Sequence, residues 1–133
     1  MELYNAAFLP ERETRLSGSI TIGWIEDGSA LRIRQGDSEH PPAAVWIIGR
    51  HEREASYSVL YADDRGVSRI YNMSLENASW RMWRDTPEFS QRFDAQLEPS
   101  GEAIRAGWQK STDHGATWEH DFNVDYIRKR ASI

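Results

Sequence analysis

The chain of 133 residues contains no cysteine. That absence excludes a disulfide framework, the usual scaffold of small secreted domains, and removes thiol nucleophiles and cysteine-ligated zinc or iron–sulfur sites. Long apolar runs are missing as well. The longest, Ala43 to Ile48, falls far short of the ~20 residues that cross a bilayer as a helix, so no membrane span is expected. The opening Met1-Glu2-Leu3-Tyr4 carries neither a basic stretch nor an apolar core. No signal peptide is read there, and the cytoplasm is the expected compartment. Basic charge is in deficit. Sixteen Lys and Arg against 21 Asp and Glu give a net charge of -5 and a pI near 5.4. A sequence-blind nucleic-acid binder needs a basic face to release counterions, so nucleic acid is not an expected partner.

Aromatic residues are abundant: six Trp, five Tyr and four Phe. Large rings supply burial in a small core and also line ligand cavities. No stretch of helical length keeps apolar residues at i, i+3, i+4 and i+7. Period-two alternation recurs instead, broken by turn residues about every ten positions. The expected strands lie near Glu2–Phe8, Arg15–Trp24, Ala30–Arg34, Ala44–Arg50, Ser56–Ala62, Val67–Leu75, Ser79–Arg84, Gln91–Leu97, Ala103–Lys110 and Trp118–Arg128. Between them stand Asp27-Gly28, Gly36 to Pro42, Asp64-Arg65-Gly66, Glu76-Asn77, Pro99-Ser100-Gly101 and Asp113-His114-Gly115, whose residue types suit tight turns. Repeats, linkers and low-complexity tracts are absent, so residues 1–133 read as one domain. Short connections imply sequential antiparallel neighbours, and closing the sheet removes two costly edges. The expected fold is therefore all-β: a single up-and-down antiparallel β-barrel of about ten strands with little helix. Thr86-Pro87-Glu88 starts either a single helical turn or a plain turn.

Turn chemistry sets the registers. Asp64-Arg65-Gly66 fits a three-residue loop with Gly in the left-handed position. This pairs Tyr61 with Arg69, Val59 with Tyr71 and Tyr57 with Met73, and puts Leu60/Ile70, Ser58/Asn72 and Ala62/Ser68 on the other face. In the last hairpin, Lys110 opposite Trp118 sets Trp108 against His120, Ala106 against Phe122 and Ile104 against Val124. Arg105, Gln109, Glu119, Asp121, Asn123 and Asp125 then face solvent. The middle hairpin stays open between two registers. One sets Tyr71 against Met82 and Arg69 against Arg84; the other sets Tyr71 against Trp83 and Arg69 against Asp85.

From Trp46 onward the chain resembles a family of small, uncharacterised, lipocalin-like bacterial proteins. The resemblance is carried by Trp46-Ile47-Ile48-Gly49-Arg50, by Tyr61-Ala62-Asp63-Asp64-Arg65-Gly66-Val67-Ser68-Arg69-Ile70-Tyr71-Asn72-Met73-Ser74 and by Trp83-Arg84-Asp85. It continues through Phe89-Ser90-Gln91-Arg92-Phe93, Thr117-Trp118-Glu119-His120-Asp121-Phe122 and Tyr126-Ile127-Arg128. It implies a calycin-type barrel and little about activity. The Gly-x-Trp of a first lipocalin-type strand is missing from Met1-Glu2-Leu3-Tyr4, which points to a shortened first strand and leaves closure near Arg128 open. A barrel left open there would favour a homodimer through strand edges.

Four constellations carry candidate chemistry. Ser111-Thr112-Asp113-His114-Gly115-Ala116-Thr117-Trp118 matches the Ser-x-Asp-x-Gly-x-Thr-Trp pattern of an Asp-box, a hairpin whose Asp and Ser/Thr side chains bond turn amides; a single copy reads as structural. Arg69 on an aromatic face suits a carboxylate or phosphate in low dielectric, against the alternative of an internal salt bridge to Asp85. His120 opposite Trp108 suits a haem axial ligand, against the alternative of a buried imidazole bonded to a hydroxyl. His40, His51 and His114 fall in loops, so no zinc site is expected. The basic Arg128-Lys129-Arg130 reads as a solvated tail.

The expected function is non-catalytic binding of a small apolar or amphipathic molecule, with an acidic end, inside the barrel. Tyr57, Tyr61, Tyr71, Trp83 and Trp108 would line it, and Arg69, Arg84 and His120 would hold the polar end. No cofactor is expected under that reading. The alternatives are a haem-binding barrel with His120 proximal, or an isomerase or hydrolase using the cavity.

Overall fold

The computed structural model describes residues 1–4, 16–36, 43–52 and 56–129. Expectations that fall on Phe8, Arg15, His40 and Arg130 lie outside the described residues. The chain is all-β. Its strands are β1 (Glu2–Tyr4), β2 (Leu16–Ser17), β3 (Ile20–Ile25), β4 (Ala30–Gln35), β5 (Ala44–Arg50), β6 (Tyr57–Asp63), β7 (Ser68–Glu76), β8 (Ser79–Arg84), β9 (Ser90–Leu97), β10 (Ala103–Ser111) and β11 (Glu119–Ile127). A 3-10 turn at Glu26–Gly28 is the helical element among the described residues. From β3 to β11 every strand pairs antiparallel with its sequence neighbour, and β1 and β2 extend the sheet beyond β11.

The strand expected over Arg15–Trp24 divides at Gly18–Ser19, and this division curls the sheet. Gly18 N donates to Met1 O (2.9 Å) at the β1 end, while Gly36 N donates to Ser19 O (3.0 Å) at the β4 end. Adjacent residues thus bond to opposite ends of one sheet, which turns back on itself. Past Ser19, β3 has no second partner strand among the described residues. Ile22 and Trp24 pair with Ile33 and Leu31 on the concave face, yet they are 52% and 71% exposed. Among the described residues the sheet is therefore open along β3.

The concave face is an aromatic layer. Trp46 from β5 lies against Tyr61 (4.6 Å between centroids) and Tyr71 (5.5 Å), and meets Trp108 of β10 at 6.1 Å. Four strands separate β5 from β10 in the sheet, so this last contact crosses the interior. Trp108 also meets Tyr71 (5.7 Å), Phe93 (4.9 Å) and Phe122 (6.1 Å). Rings from opposite walls fill the middle of the barrel, where offset and edge contacts add to area burial.

The β6–β7 hairpin adopts the register expected from its turn, with Tyr61 opposite Arg69, Val59 opposite Tyr71 and Tyr57 opposite Met73. Asp63 closes it, accepting from the amides of Arg65 (2.9 Å) and Val67 (3.4 Å). The β7–β8 hairpin follows neither expected register. Its loop is Asn77-Ala78, with Glu76 opposite Ser79, Met73 opposite Met82 and Asn72 opposite Trp83. Both loop residues have positive φ (50° and 64°), the backbone of a two-residue turn matched to strand twist. An alanine there is strained by roughly 1–2 kcal/mol. Ala78→Gly is therefore expected to raise stability by about 1 kcal/mol, read as a higher urea midpoint at unchanged slope; a lowered midpoint would contradict this turn.

The β10–β11 hairpin also departs from expectation. Trp108 pairs with Phe122, Ala106 with Val124 and Ile104 with Tyr126, and the register then shifts so that Gln109 meets His120. Asp121 is the extra residue at this bulge. The loop that follows β10 is an Asp-box in geometry as in sequence. Ser111 Oγ accepts from Gly115 N (2.8 Å) and donates to Asp113 Oδ1 (2.7 Å), while Thr117 N (2.8 Å) and the Thr117 hydroxyl donate to Asp113. Trp118 packs beneath Gly115, with the Arg92 guanidinium 3.7 Å from the centre of its ring. The Thr117 hydroxyl, the Thr117 amide and Ser111 draw the Asp113 carboxyl down to about 2. The stabilisation is complete above the ordinary carboxylate value of about 4 and is lost as pH falls through the folded value. Asp113→Asn is expected to flatten the acid limb of the Tm-against-pH curve in that window. An unchanged limb would assign acid unfolding to other carboxyls.

Thr86-Pro87-Glu88 forms a turn without a helix. Ser90 Oγ accepts from Thr86 N (3.1 Å) and donates to Thr86 O (2.9 Å), which ties the β8–β9 connection down over the barrel end.

Candidate anion-binding mouth

One end of the barrel carries the β6–β7, β8–β9 and β10–β11 connections, and the candidate site lies just inside it. Side chains alternate along each strand, so cross-strand partners share a face. One concave row runs through Arg84, Gln91, Lys110 and Glu119, and continuing the β7–β8 register by one pair sets Arg84 across from Tyr71. Arg69 stands one step nearer the mouth, on the same face as Tyr61. Its guanidinium carbon is 5.8 Å from the centre of the Tyr61 ring and 5.2 Å from that of Phe89.

Tyr71 is the hub. It is 1% exposed and donates its hydroxyl proton to Gln91 Oε1 at 2.5 Å. Burial raises its pKa, and the charges of Arg69 and Arg84 oppose that shift. Both positive charges therefore act on one hydroxyl. Among the described residues neither forms an ion pair, so the expected alternative of an Arg69–Asp85 bridge is not formed.

Asp121 enters from the far wall. The bulge turns it inward, where it is 7% exposed. Burial raises its pKa, opposed first by Lys110 and then by His120 and Arg69. Unbroken alternation assigns Asp121 to the solvent face; the bulge breaks that alternation and corrects the assignment. Asp125 is buried as well, where β1 lies along β11 and Arg105 reaches it at 2.8 Å. At the rim, Asp63 is held well below the usual carboxylate range, chiefly by Arg65 at 2.6 Å. Its bond from the Tyr61 hydroxyl (2.7 Å) adds to burial in raising the phenol.

Of the expected site residues, Tyr61, Arg69, Tyr71 and Arg84 converge, and Trp108 is part of the ring layer that floors the mouth. Tyr57 sits further down the barrel, opposite Met73. Trp83 and His120 point away from the interior. They share one convex row, Asn72–Trp83–Arg92–Gln109–His120, in which Asn72, Arg92 and Gln109 are exposed. Both corrections come from register: a shifted turn for Trp83 and the bulge for His120. The haem reading loses the interior histidine on which it stood. Gln91, Lys110, Phe89 and Asp121 complete the site unanticipated. Gln91 and Lys110 alternate in phase with Phe93 and Trp108, a signal the sequence did contain; Asp121 had none.

Among the described residues no group of three or more His, Asp or Glu is arranged to hold a metal ion, and no helix is long and apolar enough to cross a membrane. No protein-family model matches the chain, and no curated protein matches it significantly in sequence. The architecture defines an all-β, up-and-down barrel-like protein.

Proposed function

We propose that this is a non-catalytic, lipocalin-like binder of a small amphipathic anion, held at the mouth of the barrel. The observation that carries the reading is that Arg69 and Arg84, with no ion pair to either among the described residues, stand on the concave face in the strands around the buried Tyr71, the Arg69 guanidinium lying over the Tyr61 and Phe89 rings. Positive charges set against apolar walls are costly unless an anion joins them. Charge-assisted hydrogen bonds to such an anion are strong in a low-dielectric setting. The rings of Tyr61, Tyr71 and Phe89 offer apolar surface to the ligand's body. Because Trp46 and Trp108 meet across the interior, that body rests on the aromatic floor and does not run the length of the barrel.

Native mass spectrometry of the protein as purified tests this. A reproducible anionic adduct that is lost in the Arg69→Met/Arg84→Met variant is the expected result. A bare mass, together with no saturable binding of anilinonaphthalene sulfonate, would overturn the reading.

A further inference from the structure

We propose that the outer edge of β3 pairs with the same edge of a second copy of this chain, antiparallel about a two-fold axis at Gly23. The phase of the strand follows from one bond. Gly36 N donates to Ser19 O (3.0 Å), and the β3–β4 register continues from it unbroken, Ile20 with Gln35 and Thr21 with Arg34. In an antiparallel ladder alternate residues turn both N–H and C=O to one side. Ser19, Thr21, Gly23 and Ile25 therefore bond towards β4, while Ile20, Ile22 and Trp24 turn their backbone groups outward. No strand takes that edge among the described residues. Ile22 and Trp24 are also 52% and 71% exposed, so unpaired backbone and uncovered apolar side chains coincide. Charge, proline and bulges keep an edge strand solitary. Ile20-Thr21-Ile22-Gly23-Trp24-Ile25 has no charge and no proline, and its register shows no bulge.

Three features select a second copy as the occupant. Pairing about Gly23 sets Ile22 against the partner's Trp24 and Trp24 against the partner's Ile22, each pair exchanging two backbone bonds. The exposed apolar side chains of the strand then cover one another, whereas Ile20 is already packed on the core. Area is the second. A Trp side chain buries about 150–250 Å², so the two rings supply about a quarter of the roughly 1,200 Å² at which specific interfaces begin. Charge is the third. Glu26 and Asp27 follow Ile25 and are exposed. The pairing sets Ile25 opposite the partner's Thr21, beside which stands the partner's Arg34, paired with that Thr21 and also exposed. Each acidic turn thus comes up to a basic strand end, twice by symmetry.

Sedimentation velocity of the full chain tests the association. A dimer at about 100 μM that separates near about 1 μM is expected of an interface this small. At the lower concentration Trp24 is exposed and adds little to the stability of the single chain. Trp24→Lys is expected to weaken association at least about tenfold with an unchanged circular dichroism spectrum. Single cysteines locate the axis, because the chain has none of its own. Gly23 meets its own copy in a non-hydrogen-bonded pair, with Cα atoms about 4.5 Å apart, within disulfide reach. A Cβ at Gly23 meets nothing within 4 Å. Gly23→Cys is expected to crosslink under mild oxidation, and Ile70→Cys, 64% exposed on the convex face, is not. A monomer at the higher concentration would overturn the proposal, as would a dimer that Trp24→Lys leaves intact. A dimer locked by Ile70→Cys and not by Gly23→Cys would move the interface to the convex face. A dimer that Trp24→Lys weakens and neither cysteine locks would overturn the Gly23 axis.

Discussion

Trp108→Ala is expected to lower folding stability by about 3–5 kcal/mol, a large part of the roughly 5–15 kcal/mol that holds a domain of this size together. Trp108 is 5% exposed, and its ring meets those of Trp46, Tyr71, Phe93 and Phe122. Those partners come from β5, β7, β9 and β11, so truncation opens a hole where several walls converge. Relaxation into that space is limited because each neighbouring ring is held by its own strand, and an unfilled cavity forfeits dispersion contacts as well as burial. Urea unfolding followed by far-ultraviolet circular dichroism measures the loss. Trp24→Ala is the matched control. That ring is 71% exposed, and its removal is expected to change stability by no more than about 0.5 kcal/mol. Similar losses for the two variants would show that the interior layer is not the centre of the core.

Arg69→Met is expected to weaken binding of anilinonaphthalene sulfonate by about 10–100-fold while leaving the thermal midpoint near that of the wild type. Hydrogen bonds to charged groups are worth about 1.5–3 kcal/mol, and about 1.4 kcal/mol is tenfold in affinity. Methionine keeps most of the aliphatic volume between Tyr61 and Phe89, so packing on those rings survives. The variant loses a cation that makes no ion pair among the described residues, and the burial cost of that charge disappears with it. Fluorescence titration of both proteins at low salt measures the binding, and melting curves without the probe measure the fold. If Arg69→Met unfolds the protein with no anion present, Arg69 is a structural residue and the mouth is not a binding site. Lys110→Met removes a second cation from the same mouth. A smaller loss is expected in that titration, because the Lys110 charge already acts on the Asp121 carboxyl.

Much of this architecture was legible in the sequence. Period-two alternation and the turn residues determined an all-β, up-and-down sheet, because each strand need bury one face only and each tight turn needs particular backbone angles. Asp64-Arg65-Gly66 also determined the β6–β7 register, and with it the placing of Tyr61, Arg69 and Tyr71 on the concave face, since a hairpin loop of known type admits one pairing. The Asp-box was legible for the same reason: its bonds are local, between residues only a few positions apart. The tertiary structure decided what local chemistry leaves degenerate. The β7–β8 loop could slide by a residue at little local cost, and its actual position at Asn77-Ala78 turns Trp83 outward and sets Arg84 across from Tyr71. The bulge at Asp121 carries no composition signal. It reverses the facing of every residue on its N-terminal side, taking His120 out of the interior and bringing a carboxyl in. The break at Gly18–Ser19, where adjacent residues bond opposite ends of the sheet, depends on strands far apart in the chain. Alternation assigns faces only while pairing is unbroken, and where pairing breaks is decided by how the whole sheet curls around its aromatic layer.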